Sequence, residues 1–196
     1  EVDKFADWMS RQSHKLKIVV PGNHDMIMDA EYYEQFWADW SSKKESPVAA
    51  REAFERRNIR VLVDETMEVE GVKIHGSPWV AKYAPWRTAF NKNPDELSGV
   101  WQGLPEGCDI LITHMPPLGY GDRDVNGSRH GCEALEKRVR VLQPPLHIFG
   151  HVHSDGGVFF SESASDRTVR LNASCVCDFY RVGARVAHVV DMVVCA

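Results

Sequence analysis

With 196 residues, 43% of them hydrophobic and 26% charged, the chain is long enough to bury one core and short for two. No apolar run approaches the roughly 20 residues that cross a bilayer, so a membrane-spanning helix is not expected. A net charge of −5 argues against a nucleic-acid-binding surface, although recognition of phosphate through metal ions needs no basic face.

In chain order, Val2 to His14 reads as an amphipathic helix with Val2, Phe5, Ala6 and Met9 on one face. Leu16 to Val20 is a short, wholly apolar run, the pattern of a buried strand, and Pro21-Gly22 forces a sharp exit from it. Asp29 is placed to cap a helix through Trp40, and Pro47 opens a second helix reaching Arg57. Arg60–Val63, Glu65–Val69 and Val72–His75 alternate as strands, with Glu70-Gly71 as a tight turn between the last two. Residues 76–107 read as loop-rich, and Trp79, Trp86 and Trp101 argue that this stretch is ordered. Asp109–Thr113 is a buried strand, Cys132–Leu142 a helix and Leu146–Phe149 another strand. Further strands are expected near Val158–Phe160, Thr168–Ala173 and Ala187–Val193. This order of elements predicts an α/β protein with stacked sheets in one domain over residues 1–196.

The five cysteines, Cys108, Cys132, Cys175, Cys177 and Cys195, form neither a disulfide framework nor a CxxC pair. A reducing compartment such as the cytoplasm is expected. Among the histidines, His14, His75, His147 and His188 read as surface or packing residues. His130, in a polar loop, could face a site.

Chemistry concentrates in three places: Pro21-Gly22-Asn23-His24-Asp25, Thr113-His114-Met115-Pro116-Pro117 and Gly150-His151-Val152-His153. Each closes a strand-like run. Imidazole nitrogens and an amide oxygen at strand ends are what a metal site requires. His151 and His153 alternate around Val152, so an extended backbone would turn both to one side. His24 can exchange a proton near neutral pH, with Asp25 to orient it.

These residues resemble the calcineurin-like metallophosphoesterases. Gly22-Asn23-His24-Asp25, Thr113-His114 and Gly150-His151-Val152-His153 are similar to that family's third, fourth and fifth motifs, in order. Gly76-Ser77-Pro78-Trp79, Trp86 with Phe90-Asn91, Trp101, Gly131-Cys132 and Asn172-Ala-Ser narrow the likeness to a small branch related to brain-type cyclic-nucleotide phosphodiesterases. The resemblance implies a four-layer α/β/β/α sandwich around a two-metal centre of manganese, iron, zinc or magnesium. It implies Asn23, His114 and His151 on one ion, His153 on the other, and His24 beside the leaving group, steered by Asp25. The implied activity is hydrolysis of phosphate-ester small molecules, cyclic nucleotides among them, by metal-activated hydroxide. Trp79, Asn91 and His130 are expected to line the substrate pocket.

The family's opening Asp-x-His and Gly-Asp motifs have no counterpart here. Gly121-Asp122 lies in a loop after His114 and is no substitute. The chain is therefore expected to be N-terminally truncated relative to the family and to hold one ion tightly or none. Two readings follow: a phosphodiesterase completed by an N-terminal segment or by another chain, and an inactive member serving as a structural or interaction subunit.

Overall fold

The computed structural model describes residues 1–83, 87–177, 181–182 and 187–192. Helix α1 (Val2–Ser10) ends four residues short of His14, because the polar run from Arg11 to His14 cannot extend its apolar face. Strand β1 (Ile18–Val19) pairs in parallel with β2 (Arg60–Val61). Between them lie a 3-10 turn (Met26–Met28), α2 (Ala30–Phe36), a second 3-10 turn (Trp37–Asp39) and α3 (Pro47–Glu55). Asp29 caps α2 as expected, accepting from Tyr32 N–H at 3.1 Å, and its other oxygen accepts from Phe90 N–H at 2.8 Å. Ser46 caps α3 ahead of Pro47, accepting from Ala49 N–H at 3.2 Å.

Strands β3 (Glu65–Val69) and β4 (Val72–Ser77) form an antiparallel hairpin. Glu70 (φ 52°) and Gly71 (φ 80°) both take the left-handed conformation that a two-residue hairpin turn demands. A short parallel pair follows, β5 (Val80–Ala81) with β6 (Asn91–Lys92). Then come α4 (Pro94–Gln102), β7 (Ile110–Thr113), α5 (Glu133–Leu142), β8 (Leu146–Phe149), β9 (Gly157–Phe159) and β10 (Val169–Asn172). Strands β11 (Val176–Cys177) and β12 (Arg181–Val182) pair antiparallel.

The loop-rich reading of 76–107 is corrected by α4. Its start is built from Asn93, Pro94 at the first turn and Glu96, whose carboxylate accepts from Asn93 N–H at 2.8 Å. Leu97 and Trp101, one turn apart, are buried. At the other end of the chain, the strand expected over Ala187–Val193 does not form across 187–192, and Val193 lies outside the described residues. Val189 is 88% exposed; with no apolar surface to cover, alternation alone makes no strand.

The main sheet has six strands in the order β3-β4-β7-β8-β10-β9. Strands β4, β7, β8 and β10 run parallel, and β3 and β9 are antiparallel edges. The β1–β2 pair stacks on this sheet at Gly76 of β4. A Cβ there would meet Leu62 Cβ at 2.5 Å and Val20 Cγ2 at 2.7 Å, so only glycine allows the approach. Helices α1, α2 and α3 pack on the outer face of the small sheet through Ala6, Tyr33, Ala50 and Phe54, with Ile59, Val19 and Val61 against them. Helices α4 and α5 cover the main sheet through Leu97, Trp101, Leu135 and Val139 against Leu111. The layers are thus α/β/β/α. A buried charge network ties α5 to β10: Arg170, fully enclosed, donates to Glu136 Oε1 at 3.3 Å and to Asp166 Oδ2 at 2.8 Å.

Candidate metal centre

Parallel neighbours β7 and β8 end side by side, the usual place for a site in an open α/β sheet, and β1 of the small sheet leads into Asn23. The segments that leave them bring Asn23, His114 and His151 together. His114 Nε2 lies 2.9 Å from Asn23 Oδ1 and 3.2 Å from His151 Nδ1. The two imidazoles meet edge to face with centroids 5.0 Å apart.

Local structure explains each placement. Gly22 packs directly on the His114 ring; a Cβ at Gly22 would sit 2.3 Å from His114 Cε1. Asn23 is buried, and its Nδ2 donates to Thr88 Oγ1 at 3.3 Å, which leaves Oδ1 facing His114. The His114 backbone is fixed on both sides: its N–H donates to Ser77 O at 3.0 Å, and its carbonyl accepts from Gly150 N–H at 3.1 Å. The segment 150–153 corrects the extended reading. Val152 N–H donates to Gly150 O at 2.8 Å across His151, whose φ is +67°. This is a γ-turn of the strained, positive-φ kind. The bend, not strand alternation, aims His151. Asn172, at the end of β10, holds the bend: its Nδ2 donates to Val152 O and to Gly121 O, each at 2.8 Å.

Burial holds both rings neutral. The His114 pKa lies well below the ordinary histidine value, first through loss of solvent and then through His151, His24 and His153 around it. His151 falls to about 4 through burial and the neighbouring His130, His153 and His24. His24 is solvent-exposed, and His24 and His153 both lie within electrostatic reach of the pair. Asp25 accepts from Gly22 N–H at 2.6 Å. Protein packed around that carboxylate raises its pKa although the residue as a whole is exposed, while the Gly22 bond and nearby His24 oppose the rise.

A family model for the calcineurin-like phosphoesterases matches residues 2–155, the span that carries Asn23, His114 and His151. The chain belongs to the calcineurin-like phosphoesterase family. Among its relatives, the human metallophosphoesterase domain-containing protein 1 is 37% identical over 187 residues, covering 89% of this chain and 54% of that protein. A UPF0046 protein of Caenorhabditis elegans is 33% identical over 177 residues, covering 89% of this chain and 57% of the relative. The chain thus spans about half the length of these curated relatives. One solved structure superposes with a TM-score of 0.61 at 18% identity, over 88% of this chain and 62% of the other, and speaks to the fold alone.

A phosphoesterase of this family implies divalent metal, and the donor set can be tested against one. Two donors about 2.1 Å from one ion, at ordinary coordination angles, stand roughly 3.0–3.4 Å apart. The 2.9 and 3.2 Å separations around His114 Nε2 fall close to this range. Ligating imidazole must be neutral, and both rings are. Among the described residues no group of three or more His, Cys, Asp or Glu side chains is placed to hold a metal; the cluster consists of two imidazoles and an amide. Asp122 is not a missing carboxylate: it is fully buried, accepts from Arg129 Nη1 at 2.5 Å and Gly119 N–H at 3.0 Å, and pins the loop.

The expected pocket residues separate. Trp79 and Asn91 line a cavity of about 500 Å³ with Tyr32, Arg87 and Lys92, and neither His114 nor His151 lines it. Lys92 Nζ lies 3.9 Å over the Trp79 ring and Phe90 meets the ring edge-on. Asn91 connects to the centre through Thr88, donating to Oγ1 at 2.6 Å, and through Ala89, whose carbonyl accepts from Asn91 Nδ2 at 3.0 Å and whose N–H donates to Asn23 O at 3.1 Å. His130 contacts Asp124 Oδ2 at 2.9 Å and is close enough to influence His151. Trp86 lies outside the described residues. Thr88 and Asn172 were not singled out by sequence as site residues, because a buried Thr or Asn carries no pattern that marks it as a support. His75 and His147 are packing residues, both buried, and His14 and His188 are exposed.

Proposed function

We propose that residues 1–196 form one phosphoesterase domain that hydrolyses phosphate-ester small molecules with a divalent ion held by Asn23, His114 and His151. The observation that carries this reading is the convergence of Asn23 Oδ1, His114 Nε2 and His151 Nδ1 at 2.9 and 3.2 Å with both rings neutral. When bound, the ion supplies Lewis-acid polarisation and charge neutralisation at the phosphoryl oxygens. His153, beside the same pair, would add a ligand toward a second ion. Exposed His24 would donate a proton to the departing alkoxide. Asp25 fixes the loop that presents His24, through Gly22 N–H. His130 would face the substrate from the loop that Asp122 pins. Likeness to the cyclic-nucleotide branch supports phosphodiesters, cyclic nucleotides included, as the substrate class, and the donor set suits manganese, iron or zinc.

The test is hydrolysis by the full-length product with each of manganese, zinc, iron and magnesium. Substrates are cyclic AMP, cyclic GMP, bis(4-nitrophenyl) phosphate and 4-nitrophenyl phosphate. Turnover of a diester that His114→Ala and His151→Ala each abolish is the expected result. Folded protein inert on all four esters with every metal would overturn the proposal.

A further inference from the structure

His147 belongs to none of the family motifs, yet it is wholly enclosed between β7 and β10. Its Nε2 lies 2.8 Å from Thr113 Oγ1. The Thr113 hydroxyl donates to Met115 O at 2.8 Å, so its one proton is already committed. The contact with His147 therefore needs the ring to donate, which assigns the Nε2–H tautomer. Among the described residues His147 Nδ1 has no hydrogen-bond partner. In this tautomer the unpaired atom is a bare lone pair. The other tautomer would bury an unpaired N–H and break the Thr113–Met115 bond, leaving two groups unsatisfied.

The bond sits at a mechanical junction. The Thr113 hydroxyl spans His114, tying the residue before it to the residue after it. His147 lies in β8, four residues ahead of His151. This side-chain bond adds, beyond the main-chain ladder of β7 and β8, a tie between the end of the strand that delivers His114 and the strand that delivers His151. We propose that the relay from His147 Nε2–H through Thr113 Oγ1–H to Met115 O is a positioning device that sets His114 against His151. This inference rests on the metal-centre reading and deepens it. His147 and Thr113 touch neither ion nor substrate; they act through the ring of His114. Thr113→Ser keeps both bonds and Thr113→Val keeps the shape without them. His147→Gln restores a donor near Nε2, and His147→Leu removes it.

The experiment uses the full chain labelled with ¹⁵N-histidine. Long-range ¹H–¹⁵N spectra of the wild type are expected to show His147 as the Nε2–H tautomer. Zinc titration by calorimetry is expected to give an affinity about ten-fold weaker in Thr113→Val and His147→Leu, near wild type in Thr113→Ser and largely recovered in His147→Gln. An Nδ1–H tautomer would overturn the proposal even if every variant misfolded. So would a folded Thr113→Val of unchanged zinc affinity, because a merely structural bond moves the melting temperature alone. If the wild type takes up no zinc, the metal-centre reading fails separately. The relay is then judged by the His114 ring resonances, which Thr113→Val must shift and Thr113→Ser must leave in place; unmoved resonances overturn it.

Discussion

Gly22 shows how closely the centre is built around single atoms. A methyl at that position would lie 2.3–2.6 Å from three atoms of the His114 ring, well inside van der Waals contact, and the ring must move. Gly22→Ala is expected to weaken zinc binding by at least ten-fold and to lower the melting temperature, read by calorimetry and thermal unfolding. Unchanged affinity would mean that the ring position does not matter. His24 is argued differently, because it faces solvent and is not packed into the cluster. His24→Ala in the full-length product is expected to cut the turnover number about 10²-fold or more while metal content, measured by elemental analysis, stays normal. Loss of metal would reassign His24 as a ligand. Sequence made Asn23, His114 and His151 legible because each follows an apolar strand and belongs to a short motif. It did not show the positive φ of His151. A γ-turn depends on the Asn172 bond from a strand about twenty residues away, and alternation of letters cannot register that.

At the scale of elements, β10 supports the site without supplying a ligand. Asn172 satisfies two backbone carbonyls that are otherwise stranded in the interior, and an unsatisfied buried acceptor costs about 1–3 kcal/mol. Asn172→Ala is expected to lose stability of that order in urea unfolding and to weaken zinc binding by releasing Val152. Full stability in the variant would show that water replaces the amide. Most elements were readable from their ends: Asp29, Pro47 and Glu70-Gly71 each mark a boundary that the structure keeps. Helix α4 was missed although Asn93-Pro94-Asp95-Glu96 carried a complete start signal. Breakers on either side and Gly99 within hid its period, and only Leu97 and Trp101 face the core. Across 187–192 the expected strand did not form for the reverse reason, a fitting pattern whose Val189 is left exposed.

For the whole molecule, neutral buried imidazoles couple folding to pH. His147 drops from 6.5 to about 3 because burial strips its solvent and Arg170 faces it from β10. Glu136 and Asp166 on the far side of Arg170 offset part of that charge. Between pH 6.5 and about 3 the unfolded chain takes the proton more readily than the folded one. Stability is therefore complete above that window and falls as pH descends through it. His114 and His151 add to the fall with the same sign. A His147→Gln variant is expected to show a flatter melting temperature against pH than the wild type from neutral to pH 4; parallel curves would contradict the coupling. The layered α/β/β/α architecture was legible as stacked sheets, and the family likeness supplied the layer order. That two sheets meet at Gly76 was not, since close approach leaves no periodic trace. The claim beneath all of this is that Asn23, His114 and His151 close on one divalent ion. Crystals of the chain grown with manganese and measured for anomalous scattering test it most directly. A peak within coordination distance of Asn23 Oδ1, His114 Nε2 and His151 Nδ1 is the predicted result, and ordered side chains with manganese bound elsewhere, or nowhere, would contradict it.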